Sequence, residues 1–101
     1  MKLVEYHPQA LEELIHAAEY YESKVDGLGQ RFLDEIKICV ADISDLPERW
    51  PYFVLNVRRR LLDRFPYMLV YLNDSDRIYI LAVMHQRRRP GYWKKRLNSS
   101  V

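Results

Sequence analysis

The chain has 101 residues, of which 49% are hydrophobic and 30% charged, and a single cysteine. That is one domain's worth of chain, with no second domain, no disulfide framework and no cysteine metal site. The net charge of +2 hides a segregation: residues 1–50 carry five Lys/Arg against eleven Asp/Glu, and residues 51–101 carry eleven against three. A C-terminal half this cationic attracts phosphates or an acidic protein segment.

In chain order, Leu3, Val4 and Tyr6 form a short strand, and Pro8 after His7 fits the first position of a helix, where its missing N–H costs nothing. Leu11, Leu14, Ile15, Ala18 and Tyr21 then recur at helical spacing, with Glu12, Glu13, Glu19 and Glu22 mostly elsewhere on the wheel, which predicts an amphipathic helix with an acidic solvent face. Gly27 and Gly29 interrupt it. A second stripe follows at Phe32, Ile36, Cys39, Val40, Ile43 and Leu46 before Pro47. At about 18 residues, or roughly 27 Å, each helix can cross one face of a small sheet.

Three β-rich runs follow: Phe53 to Leu62, Tyr67 to Leu72, and Arg77 to about His85, with Asn73-Asp74-Ser75-Asp76 as a hairpin turn. Ile78 to Met84 is apolar on both alternations, as a strand covered on both faces requires. With helices on one face, the other needs a further cover, and a partner segment is the favoured one over the chain's own core. The expected fold is α+β in the order β-α-α-β-β-β, a mainly antiparallel sheet with both N-terminal helices on one face and a single domain over residues 1–101. The last residues, 97–101, are expected to fray.

No apolar run approaches the ~20 residues that span a bilayer, and the N-terminus has no apolar signal core, so a cytoplasmic location without membrane contact is expected. Glycine is present only at 27, 29 and 91, so no phosphate-cradling glycine loop exists, and no metal cluster or Ser/His/Asp set is apparent. Neither a cofactor nor a metal is expected. His7 and His16 read as surface positions near the acidic helix.

The paired Tyr20-Tyr21, Val57-Arg58-Arg59, Arg64-Phe65-Pro66-Tyr67, and His85-x-x-Arg88-x-Pro90-x-Tyr92-Trp93, in this order and at this length, resemble the RelE/ParE superfamily of bacterial toxins. The resemblance covers nearly the whole chain. It implies the toxin half of a type II toxin–antitoxin module, of the plasmid-stabilising kind, neutralised by a cognate antitoxin. An acidic amphipathic antitoxin segment docked on the doubly apolar strand would bury apolar area and satisfy the cationic surface together.

By the same resemblance the target is either DNA gyrase, poisoned by binding, or messenger RNA cut on the ribosome. Metal-free RNA cleavage needs help in deprotonating a 2′-hydroxyl, stabilising phosphorane charge and protonating the leaving oxygen. Arg59, Arg64 and Arg88 match the basic residues that RelE-like relatives offer the scissile phosphate, Tyr92 matches their C-terminal tyrosine, and His85 has an imidazole suited to proton transfer. These five are the catalytic candidates. Plainer readings stand beside these: His85 as an anchor for the tail, Trp93 as a packing plug, and at least one of Arg58, Arg59 and Arg60 as merely solvated or paired with Asp63, since a strand sends three successive side chains to both faces.

Arg58, Arg60, Arg87, Arg89, Lys94, Lys95 and Arg96 are candidates for contact with the target or with nucleic acid. The cationic half lacks a clear general base, having only Asp63, Asp74 and Asp76, which tilts the reading toward a gyrase-directed, non-enzymatic toxin. The nuclease is the alternative, and a non-toxic nucleic-acid-binding member is the third. All three readings expect the arginines to gather on one sheet surface beside an open apolar groove.

Overall fold

The computed structural model describes residues 2–98. Five strands form one sheet in the order β1-β5-β4-β3-β2, with β1 (Leu3–Tyr6) parallel to β5 (Arg77–His85) and every other pair antiparallel. Helices α1 (Pro8–Lys24) and α2 (Leu28–Asp45) make an antiparallel hairpin over one face, giving the expected α+β layer. The hairpin turn falls at Asp74, whose N–H donates to Arg77 O at 2.9 Å.

Local chemistry accounts for the hairpin's geometry. His7 caps α1 by accepting from Gln9 N–H at 3.0 Å through Nδ1, and Pro8 follows at the first helical position. His7 is therefore buried, not the surface residue expected, because the cap lies where α1 meets the end of β1 and His7 N donates to Ile80 O. Its pKa is lowered by burial and then by the Arg96 charge. Gly27, at φ 85°, begins α2 with no side-chain cap of its own, so Glu22 of α1 supplies the acceptors for Gly27 N and Gly29 N. A Cβ on Gly29 would sit 2.5 Å from Ala18 O, which explains how closely the two helices approach there.

The inward stripe of α1 is rotated from the expected one. Ala10, Ala17 and Ala18 are buried with Leu14 and Tyr21 beside them, while Leu11 and Ile15 are about half exposed at 44% and 48%. Small alanines let the helix lie close to the sheet. The rotation carries Glu13 inward with them, to a side chain only 15% exposed.

The run from Phe53 to Leu62 is two strands, β2 (Tyr52–Val54) and β3 (Val57–Leu61), joined by a tight turn in which Leu55 takes φ 55°. Nothing in the apolar pattern marked this break, since Leu55 is a poor left-handed residue. After β5 a short helix, α3 (Lys95–Asn98), ends the described chain, so Leu97 and Asn98 are helical where fraying was expected, and 99–101 lie outside the described residues.

The second face of the sheet is covered by the chain itself. Val57, Met68, Val70, Tyr79, Leu81 and Met84 form a core with Trp93, which is fully buried, and Tyr92 and Leu97 pack against it. The expected partner-shaped vacancy on this face is therefore filled by residues 92–97, because Trp93 brings the largest apolar surface in the tail to the strand that needs covering.

Candidate functional site

One irregularity in β5 organises the region where the tail leaves the sheet. Val70 pairs with Ala82 but Tyr71 pairs with Ile80, so Leu81 is an extra residue, a β-bulge. It inverts the alternation: Ile78 and Ile80 face the helices before it, and Val83 faces them after it. His85 is thereby placed on the helix side, against Tyr67.

Because β1 pairs only as far as Ile80, the edge of β5 beyond it has no neighbouring strand. Side chains take its place. Arg96 donates to Leu81 O at 2.8 Å, and Val83 N donates to Glu13 Oε1 at 3.0 Å. Arg96 also gives two N–H donors to the Glu13 carboxylate at 3.0 Å each, and the Tyr92 hydroxyl donates to Glu13 Oε2 at 2.7 Å. Glu13 is thus a mostly buried anchor that ties α1, the β5 edge and the tail together. Burial, and next its hydrogen bond to Glu13, holds the Tyr92 phenol well above its ordinary pKa. Sequence periodicity could not reveal this residue, since Glu13 lies within a run of acidic positions that read as solvated.

The candidate residues separate into different surroundings. Arg88 donates to Glu13 at 3.5 Å with its guanidinium 3.5 Å from the Tyr92 ring centroid, at a half-exposed position. His85 accepts from Arg87 N–H through Nδ1 at 3.0 Å, closing the turn after β5, with its ring edge-on to Tyr67 at 5.1 Å. Arg59 pairs opposite Val70 on the tail-covered face and lies over the Phe53 ring at 4.5 Å. Arg64 sits in the turn before β4 (Tyr67–Asn73), its backbone N–H donating to Glu35 of α2 at 3.0 Å. The five catalytic candidates are therefore not one constellation: Arg88, Tyr92 and His85 are neighbours at the Glu13 end, and Arg59 and Arg64 are elsewhere.

Arg58 and Arg60 face the helix side opposite Tyr71 and Leu69. Arg58 donates to Trp50 O at 2.7 Å, and Arg60 pairs with Asp42 at 2.7 Å rather than with Asp63, the one acidic partner the sequence offered for these arginines. Burial of the Arg60 stem beside α2 explains the choice, since Asp63 is exposed in the following turn. Arg96 is likewise buried. Arg87, Arg89, Lys94 and Lys95 are exposed. The expectation of one cationic surface is overturned: β-strand alternation divides the arginines, and the acidic helices take several of them as partners.

Cys39 is fully buried and its thiol is pushed up to about 11, chiefly by burial, so it is an inert core residue. Among the described residues no group of His, Cys, Asp and Glu could hold a metal ion, and no helix is long and apolar enough to cross a membrane.

This layout, two helices on a five-stranded sheet with a cationic tail, is that of a ParE-like toxin. The family model of the ParE toxin of the type II toxin–antitoxin system, parDE, matches residues 4–90, and the chain belongs to that family within the RelE/ParE superfamily. Among solved structures, it is similar to a chain described as the chromosomal ParDE TA system from P. aeruginosa, with a TM-score of 0.72 and 19% sequence identity over 84% of this chain and 96% of that one. At that identity the likeness is one of fold. No curated protein sequence matches the chain. As a family member it is the toxin component of a type II module.

Proposed function

We propose that the chain arrests growth by binding DNA gyrase and is neutralised by a cognate antitoxin, with no bond made or broken by the toxin itself. The observation that carries this reading is the commitment of the Tyr92 hydroxyl. It donates to Glu13 at 2.7 Å inside the tail anchor, with its pKa raised, where a proton-transferring phenol would need to be free near neutral pH. The dispersal of Arg59 and Arg64 from Arg88 supports it further, because a phosphorane needs its donors converging on one small volume. A binding toxin needs only a presented surface, and Arg87, Arg89, Lys94 and Lys95 give the exposed side of the tail a single sign of charge.

For the antitoxin, the open site is the edge of β1. A groove of about 640 Å³ there is lined by Leu3, Val4, Tyr6 and Val40, with Lys2 and Lys37 among its walls. An extended segment with apolar and acidic residues can add to that edge as a sixth strand.

The test is to add purified chain to gyrase with closed circular DNA, and separately to ribosomes translating a defined message. Loss of supercoiling or accumulation of cleaved DNA, with the message intact, is the expected result. Fresh cuts in the message at codon positions, with gyrase unaffected, would establish the nuclease instead.

A further inference from the structure

Two consecutive carbonyls of β5 serve the same edge of the sheet. Ile80 O accepts from His7 N at 2.9 Å, and Leu81 O accepts from Arg96 at 2.8 Å. In a regular strand successive carbonyls point to opposite sides, and the bulge at Leu81 turns both toward the side where β1 ends. The residue that precedes α1 and the arginine that anchors the tail are therefore hung side by side on one stretch of backbone.

The His7 ring is committed to a single protonation state. It is 7% exposed and edge-on to the Tyr79 ring of β5 at 6.2 Å. Nδ1 accepts the Gln9 N–H at 3.0 Å, which a ring nitrogen does only while it carries no proton, so this cap of α1 exists only with the neutral imidazole. Protonation at Nδ1 sets one donor against another and places a positive charge at the positive end of a 17-residue helix. The charged groups acting on the ring are Arg96 of α3, which opposes an imidazolium, and Glu13 of α1, which favours it. Glu13 is already engaged by Arg96, Tyr92 and Val83 N, and burial first and Arg96 second prevail over it, holding the His7 pKa low.

We infer that His7 is a proton-sensitive latch between the start of α1 and the C-terminal tail: one proton on its ring removes the helix cap, sets a second positive charge beside Arg96 and loosens residues 92–98 from the sheet. Above the ordinary histidine value of about 6.5 the ring is neutral in the folded and unfolded chains alike, and the latch is closed. As pH falls below that value the unfolded chain takes the proton first, so stability is lost on the acid side. The other two histidines lie outside this arrangement, His16 being exposed on α1 and His85 closing the turn after β5. The latch stands whatever the toxin acts on, because it uses no contact with a target or an antitoxin.

The test follows the histidine rings and the Trp93 indole N–H of the intact chain by NMR from about pH 8 to about pH 5, with denaturant midpoints measured near both ends. His7 is expected to titrate below His16, and the Trp93 signal to shift with the His7 midpoint. Over the same range the folding constant should fall about fivefold more in the unsubstituted chain than in His7→Asn, whose amide caps a helix at either pH. His7 titrating at or above His16, a Trp93 signal indifferent to the His7 midpoint, or equal acid sensitivity in the chain and in His7→Asn would each overturn the latch. If His7→Asn does not fold, the two resonance titrations on the unsubstituted chain decide the matter.

Discussion

Glu13 shows how one side chain can stand in for a strand. Its carboxylate meets the Val83 N–H that β1 is too short to reach, and it fixes Tyr92 and Arg96, the two tail residues on either side of Trp93 and its neighbours. Removing one member of such a buried pair leaves the other charge without compensation, which costs more than the pair contributes. Glu13→Ala is therefore expected to destabilise the fold by about 2–4 kcal/mol in denaturant unfolding. Combined with Arg96→Gln in a double-mutant cycle, it should show a coupling of about 1–3 kcal/mol; additive effects would mean the two residues do not act as a unit. The residue was invisible to sequence reasoning for a physical reason. A carboxylate among four glutamates on one helix reads as solvent-facing, and only the rotation of α1 onto its alanines turns it inward.

At the scale of elements, β1, the two long helices, β4 and β5 were legible in the sequence, and the β2–β3 turn and α3 were not. The helices carry long patterns whose period comes from backbone geometry, and β5 a continuous apolar run of strand length. The β2–β3 turn carries no such signal, because Leu55 and Asn56 look like part of a continuous run. Leu55 is 69% exposed and held at φ 55°, a conformation that a branched side chain disfavours. Leu55→Asn should raise stability by about 0.5–1 kcal/mol, seen as a higher denaturant midpoint at unchanged m-value. Gly29 has the opposite sensitivity: Gly29→Ala should cost about 1–3 kcal/mol, since α1 backbone must move to admit a methyl group. The tail behaves as a structural element in its own right. Trp93→Ala should cost about 3–5 kcal/mol. Trp93→Phe should cost markedly less, because it also removes a buried indole N–H that has no partner among the described residues.

For the whole molecule, some of the opposed charges of the two halves meet each other. Arg60 with Asp42, Arg77 with Glu5, and Arg88 and Arg96 with Glu13 each join a C-terminal base to an N-terminal acid. The exposed tail and the open edge of β1 remain among the surfaces available to partners. The folded state also holds five of the eight tyrosines, Tyr6, Tyr21, Tyr67, Tyr71 and Tyr92, with pKa values raised, burial being the first cause in each. A raised folded pKa means that the folded chain keeps its proton where the unfolded chain has lost it. Their contribution is therefore complete below about pH 10 and is lost as pH rises from there, through about 12 for Tyr71. Stability should be flat with respect to these groups below pH 10 and fall steeply above it, with late phenolate absorbance accompanying unfolding; an early, reversible titration of all eight tyrosines in the folded state would contradict this.

The sequence by itself determined the α+β layer, the helical hairpin, the central apolar strand and the family, because each rests on the apolar pattern or on the order of short motifs along the chain. Tertiary structure alone decided where the charges ended up. A strand's alternation, interrupted by one extra residue at Leu81, and a helix turned by its alanines placed Glu13 under Tyr92 and Arg96 and divided Arg59 and Arg64 from Arg88. Pairing between groups 70 or more residues apart depends on angles and registers that no local pattern encodes.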